Sequence, residues 1–219
     1  MDEQIRNIWA VGRNYADHAR ELGNAVPAKT QEPIIFLKAG SSLLPRSESP
    51  GIFHLPSFSA QPAYEVEIVF QFGPRSDNVG ARGDIEKLKL TGLTIGIDLT
   101  LRDVQNKLKA QAHPWTLAKS FREAALIGRI VDIPTSLNFN LQNIDFQLKV
   151  NGEVRQKGNT GDMINGVVEL ENYVLERFPV VPGDLLFTGT PAGVGEIHPG
   201  DLLEAEISGL LKASWRAAG

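Results

Sequence analysis

The sequence predicts a β-rich α+β fold with few helices, and three observations carry that prediction. Short alternating or apolar runs bounded by turn signals recur along the chain. One pair of them, in FQLKVNGEVRQKG, flanks Asn151 and Gly152, the strongest short-range signal for a tight hairpin. Met163, Ile164, Val167, Val168, Val174, Leu175 and Phe178 follow helical spacing, which predicts an amphipathic helix from Asp162 to Phe178 packed on a sheet. Strand runs with so little helix between them argue against a doubly wound parallel sheet.

Taken in order, Ile8 to Gly12 reads as a short strand, after which Asn14 can cap a brief helix, Tyr15 to Leu22, that ends at Gly23. Pro33 introduces a second strand, IIFLK, and AGSSLLPRSESPG is turn-rich and irregular. AYEVEIVF, residues 63 to 70, is a third strand, followed by a polar, glycine-containing connection and a fourth strand, TGLTIGIDLT, residues 91 to 100. TLRD, Thr100 to Asp103, matches a capping box opening a helix through about Gln111, which places Asp98 at a strand end beside a helix start. VPGDLLF and HPGDLLE share a PGDLL core, each a turn feeding a strand; two similar turns explain them more simply than a duplication.

The chain has 219 residues, 42% of them hydrophobic, which suits a single domain spanning residues 1 to 219 with a full core. Cysteine is absent, excluding disulfides, thiolate metal sites and cysteine nucleophiles. A net charge of -4 with interspersed signs leaves no basic footprint, so neither nucleic acid nor an anionic membrane is an expected partner, whereas a small neutral or anionic molecule is. The start, MDEQIRNIWA, carries acids where a secretory signal needs bases, and no apolar run approaches the roughly 20 residues of a membrane span; the expectation is a soluble, cytoplasmic protein.

Within AYEVEIVF, strand alternation puts Glu65, Glu67 and Val69 on one side and Tyr64, Val66, Ile68 and Phe70 on the other. From the strand alone, the ordinary reading is one wet face with two solvated acids. If the site is partly buried, something positive must lie between them. Asp98 is the candidate third ligand. Glu65, Glu67 and Asp98 would form an all-oxygen set that favours Mg²⁺, Mn²⁺ or Ca²⁺ over zinc.

The segments GRNYADHARELG, FLK, YEVEI, GIDLTLRDVQ, PWTLAKSF, VNGE and LFTGTPAGVG, in this order, resemble the fumarylacetoacetate hydrolase family, most closely its short members acting on acylpyruvates and oxaloacetate. The resemblance runs from about Trp9 to Gly209 and implies the mixed β-roll of the family's C-terminal domain, a homodimer, and Mg²⁺ held at Glu65, Glu67 and Asp98. It also places the family's lysine on Lys119 and its helix-borne His and Glu on His18 and Glu21. Ala63 and Tyr64 replace the His-His that many relatives have before the acids, and Ala39 replaces a proline; both bear on pocket shape and substrate choice.

The residue chemistry accords with that placement. His18 and Glu21, three apart on a helix, can pair so that the carboxylate raises the basicity of the imidazole toward water; without the resemblance they read as a surface pair. The helix, flanked by Gly12 and Gly23, can also act as a lid. Arg102 and Gln105 can both face the metal, with Arg102 suited to a substrate carboxylate. Lys119 can neutralise enolate charge or, equally on its own sequence, snorkel at the surface. Thr188 and Thr190 sit on a glycine-rich loop that allows close approach to ligand oxygens, and Lys38 is a further substrate-contact candidate through the FLK segment.

These readings converge on a Mg²⁺-dependent enzyme for a small 2-oxo acid. It would hydrolyse a C–C bond in acylpyruvates such as fumarylpyruvate, or decarboxylate or tautomerise oxaloacetate. An isomerase or decarboxylase of a 2-hydroxyhepta-2,4-diene-1,7-dioate is the enzymatic rival. A non-catalytic metal-binding protein is the rival outside enzymes, disfavoured because it gives His18, Glu21 and Lys119 no reason to accompany the acids.

Overall fold

A computed structural model describes residues 5–44, 50–74, 88–135 and 139–218 of the chain. Within them the order is β1 (Asn7–Gly12), α1 (Ala16–Glu21), β2 (Ile34–Ala39), β3 (Gly51–His54), β4 (Pro62–Tyr64), β5 (Val66–Pro74), β6 (Leu88–Asp98), β7 (Thr100–Leu101), α2 (Arg102–Ala110), α3 (Thr116–Lys119), β8 (Ala125–Ile127), β9 (Val131–Asp132), β10 (Asp145–Val150), β11 (Glu153–Asn159), α4 (Val167–Arg177), β12 (Leu185–Phe187), β13 (Gly195–Glu196), β14 (Leu202–Ile207) and β15 (Leu211–Ala218). This is the expected β-rich α+β class. The polar connection expected after the acidic strand, over 75–87, and residues 45–49 of the turn-rich stretch lie outside the described residues.

One sheet runs β2-β1-β12-β5-β6-β8, with β9 also on β6; a second runs β11-β10-β14-β15-β3, and a small third is β13-β4-β7. Most pairs are antiparallel, but β1 lies parallel to β12 and β15 parallel to β3, which makes the roll mixed. The hairpin β10-β11 turns through Asn151 (φ 53°) and Gly152 (φ 84°), the two left-handed positions that a type I′ turn requires. Each PGDLL segment delivers a strand as expected, β12 and β14. No helix among the described residues is long and apolar enough to cross a membrane.

The structure corrects four local expectations. The acidic strand has no wet face: Val66, Ile68, Phe70 and Phe72 enter the large apolar cluster, while Val69 enters a second one with Ile8, Ala10, Leu185 and Phe187. Central placement in the sheet, between β12 and β6, forces that double burial. Asn14 does not cap α1, whose N-cap is Tyr15; its amide instead donates to Asn165 O and Thr188 O and accepts from Asn165 N. The TLRD box is absent, since α2 follows the extended Leu101 and the Asp103 carboxylate accepts from Ser59, Ala60 and Val104. Finally, Asp162 closes a 3-10 turn and α4 begins only at Val167, where Glu169 accepts from Gly166 N at 2.8 Å. Short polar side chains have several competing partners, and tertiary contacts decided among them.

The parallel β1–β12 pair is fastened by one carboxylate. Asp184, fully buried, accepts from Asn7 N and Trp9 Nε1 at 3.0 and 3.1 Å, from Asn7 Nδ2, and from Val181 N at 3.2 Å. Asp184→Ala strands these donors in an apolar setting and is expected to lower unfolding free energy by about 3 kcal/mol in urea titration. A change below about 1 kcal/mol would show that the pair does not depend on it.

Candidate active site

Pairing of β5 with β6 sets Val66 opposite Ile97 and Glu67 opposite Gly96, and just beyond this register Asp98 N donates to Glu65 O at 2.8 Å. Glu65, in the break between β4 and β5, and Asp98, closing β6, are therefore side by side, with Glu67 one rung inward. Their carboxylates offer one oxygen each within 4.8 Å of one another. The residues are 4%, 1% and 0% exposed, so the solvated-acid reading fails.

Three acids at such depth need opposite charge, and the structure supplies it from three elements. Lys119, at the end of α3, donates to Glu65 Oε2 at 2.7 Å, to Asp98 Oδ2 at 2.6 Å and to Thr100 Oγ1 at 2.6 Å, using all three ammonium hydrogens. Lys38, on β2, donates to Leu99 O and Ala124 O and lies 2.6 Å from Asp98 Oδ1, a contact held by charge more than by hydrogen-bond alignment. Arg102, opening α2, binds Glu65 Oε1 through Nη2 and Gln105 Oε1 through Nη1. On the other side Gly189 N donates to Glu67 Oε2 at 2.6 Å. Gly189 has φ 96°, and a Cβ there would lie 2.8 Å from that of Asn14, so only glycine fits this approach.

The titration behaviour follows from these contacts. Burial pushes the Glu65 carboxyl up, but Lys119, Arg102 and His18 outweigh it and hold the group well below the usual carboxylate range. Glu67 is driven well above its usual value by burial and then by Asp98 and Glu65, against weaker help from Lys119 and Gly189 N–H. Burial would lower Lys119, yet Asp98 and Glu65 raise it, so it stays an ammonium ion. In Lys38 burial wins and the value falls. The donor set itself fits a hard divalent cation: all oxygen, converging, and flanked by buried ammonium groups that compensate its charge.

Over this cluster lies a narrow, partly open cavity of about 30 Å³, room for a water or two between the side chains that line it. Glu65, Glu67, Arg102, Gln105, Lys119 and Thr190 open onto it, and His18 of α1 faces them from the other wall. Burial lowers the His18 pKa, so the ring is neutral near pH 7. Its Nδ1 has no hydrogen-bond partner and is 3.7 Å from Glu21 Oε2, while both Glu21 oxygens accept from Gly193 N at 3.1 Å. Glu21 thus pins the glycine-rich loop to α1 more firmly than it grips the histidine.

Two further expectations are corrected here. Lys38 is fully buried and does not line the cavity, because its ammonium supports Asp98 from behind; it is not placed to touch a substrate. Thr188 likewise turns away, donating to Ile68 O at 2.8 Å. Lys119 does not snorkel. Gln156 had no visible signal in the polar strand EVRQKGN, yet a register shift beside it turns it inward, where it accepts from Val66 N and donates to Thr190 Oγ1 and Pro191 O.

The mixed β-roll and its buried set of three carboxylates are matched in the comparisons with known proteins. The fumarylacetoacetate (FAA) hydrolase C-terminal model matches residues 7–216, and the chain belongs to that family. It is 37% identical over 208 residues to the mitochondrial oxaloacetate decarboxylase of Dictyostelium discoideum, spanning 95% of this chain and 91% of that protein. Human mitochondrial oxaloacetate tautomerase FAHD1 is 36% identical over 211 residues, 96% of this chain and 91% of that one. Among solved structures, fumarylpyruvate hydrolase from Pseudomonas aeruginosa, in complex with Mn²⁺ and pyruvate, matches with a TM-score of 0.84 and 32% identity over 98% of this chain and 90% of that one.

Removing one cation should expose how strained the cluster is. Lys38→Met leaves Asp98 short of charge and is expected to cost about 3–5 kcal/mol of stability in the metal-free protein. Adding Asp98→Asn should recover part of that loss. Denaturant titration of the single and double variants measures both, and two additive effects would mean the residues are not coupled.

Proposed function

We propose that the chain is a divalent-cation-dependent enzyme that forms or uses the enolate of a 2-oxo acid, with oxaloacetate as its substrate and Mg²⁺, replaceable by Mn²⁺, as its metal. The observation that carries this reading is the convergence of a neutral imidazole, His18, and a paired ammonium, Lys119, on the cavity that the buried acids floor. A binding protein has no use for a buried base facing a buried cation. A cation held by Glu65, Glu67 and Asp98 would supply, when bound, a Lewis acid for the carboxylate and 2-oxo oxygens.

The residues of the chain do the rest. Three acids and three bases balance formally, so a bound dication leaves an excess of positive charge that an anionic 2-oxo acid neutralises. Arg102 and Gln105 offer donors toward the substrate carboxylate once Arg102 shifts from Glu65. His18 takes a proton from C3; the electron pair of that C–H bond becomes the C2–C3 double bond, and the C2 oxygen gains the charge that Lys119 balances. Return of the proton to oxygen gives the enol. The names of the oxaloacetate-acting relatives support this reading.

A second reading is hydrolysis of acylpyruvates, with His18 and Glu21 activating water. The likeness to the fumarylpyruvate hydrolase favours it; the 3.7 Å separation of His18 Nδ1 from Glu21 requires the pair to tighten before it could work as a dyad.

His18→Ala should slow oxaloacetate enolisation by about 10²–10⁴-fold while preserving Mn²⁺ binding. Decarboxylation, which breaks C3–C4 without removing a proton from C3, should suffer less. Because the base must be neutral, wild-type kcat/KM should fall only as pH drops through a value below 6.5, and the variant should lack that limb. Equal enolisation rates in the two proteins would remove His18 from the chemistry.

A further inference from the structure

The inner cations of the cavity are spoken for, but two at its outer end are not. Arg13 and Lys109 both line the cavity, and among the described residues neither has a carboxylate partner. Every acid lining the cavity, Glu65 and Glu67, belongs to the inner cluster. Asp17, the nearest acid of α1 to Arg13 in sequence, is taken by Arg20 at 2.5 Å, and Glu21 is taken by Gly193 N.

Several observations show that the outer pair is built in. Arg102, Gln105 and Lys109 lie three and four residues apart on one face of α2, which runs from the carboxylate cluster outward over about 10 Å. The Lys109 ammonium rests 5.3 Å over the Trp115 ring, and Gly12, next to Arg13, lies beside that same ring, where a Cβ would be in ordinary contact with Trp115 Cζ3 at 3.5 Å. Arg13 itself has φ 56°, a conformation that non-glycine residues keep only where surroundings demand it, and it is set between β1 and the Asn14 side chain clamped to Thr188 O and Asn165 O. Burial, then the charges of Arg13, Arg102 and Lys119, push the Lys109 pKa down against the pull of Glu65. Two half-buried cations that line one cavity favour an anion between them.

We propose that Arg13 and Lys109 form a second anion subsite, taking the far carboxylate of an extended 2-oxo diacid whose 2-oxo acid end lies at the carboxylate cluster. The inference rests on the proposed function for the inner end, and it makes charge at the substrate tail a determinant of choice. A neutral tail would leave both cations without a partner in a half-buried site, which is the costly arrangement.

Calorimetry on the Mn²⁺-loaded protein tests it with two probes of equal chain length, 2-oxoadipate with a tail carboxylate and 2-oxohexanoate with a methyl tail. Wild type should bind 2-oxoadipate at least about tenfold more tightly, the effect of one charge-assisted contact in a partly exposed place. Arg13→Gln and Lys109→Gln should each reduce that preference severalfold, whatever change they impose on both probes, and the preference should shrink with added salt. No preference in wild type, or one that survives both substitutions, overturns the subsite. A wild-type preference that the two substitutions reduce, with no turnover of oxaloacetate, would instead sink the proposed reaction while the subsite stands. If neither probe binds, both fail.

Discussion

Asp98 carries two buried ammonium groups, with Lys38 and Lys119 each 2.6 Å from one of its oxygens, and the rest of the site is arranged to make that tolerable. Burying a carboxylate with no exposure is costly unless opposite charge lies within a few ångströms. β2, α3 and α2 therefore have to arrive at the ends of β5 and β6, bringing Lys38, Lys119 and Arg102. The mixed sheet serves this convergence. Parallel packing of β12 on β1 returns the Thr188–Thr190 loop to the same place, where Gly189 closes on Glu67 and Asn14.

Such a cluster stores electrostatic work. The Glu65 carboxyl is held low and the Glu67 carboxyl high although they are two residues apart, because Lys119 and Arg102 reach the first and not the second as strongly. A divalent cation at the common oxygens would relieve the repulsion that Glu67 feels and release Lys119 to act on a substrate. The same charge logic continues outward along α2, from an arginine locked on an acid to a lysine that has none among the described residues.

Much of this was legible in the sequence because it rests on local rules. Strand alternation put Glu65 and Glu67 together, the end of a strand pattern placed Asp98, and Asn-Gly fixed the hairpin. The motif resemblance singled out Lys119 and His18. What remained hidden depends on tertiary company. Nothing in FLK says that Lys38 points behind Asp98, since a strand position gives a face and not its neighbours. Asn14, Thr100 and Asp103 satisfy capping patterns, yet each found a distant partner. Gln156 reaches the glycine-rich loop through a register shift that a polar strand does not announce. Arg13 and Lys109 are far apart in sequence, and only the fold brings both to the lining of one cavity.

If the buried acids hold one divalent cation, the metal-free protein should take it up in solution. Titration of the metal-free protein with Mn²⁺, followed by the loss of the free-ion paramagnetic resonance signal, tests it most directly. One tight Mn²⁺ per chain is expected, abolished by Asp98→Asn and by Glu67→Ala with the fold retained in circular dichroism. A wild-type chain that takes up no Mn²⁺, or binds it equally well without Asp98 and Glu67, would contradict the account.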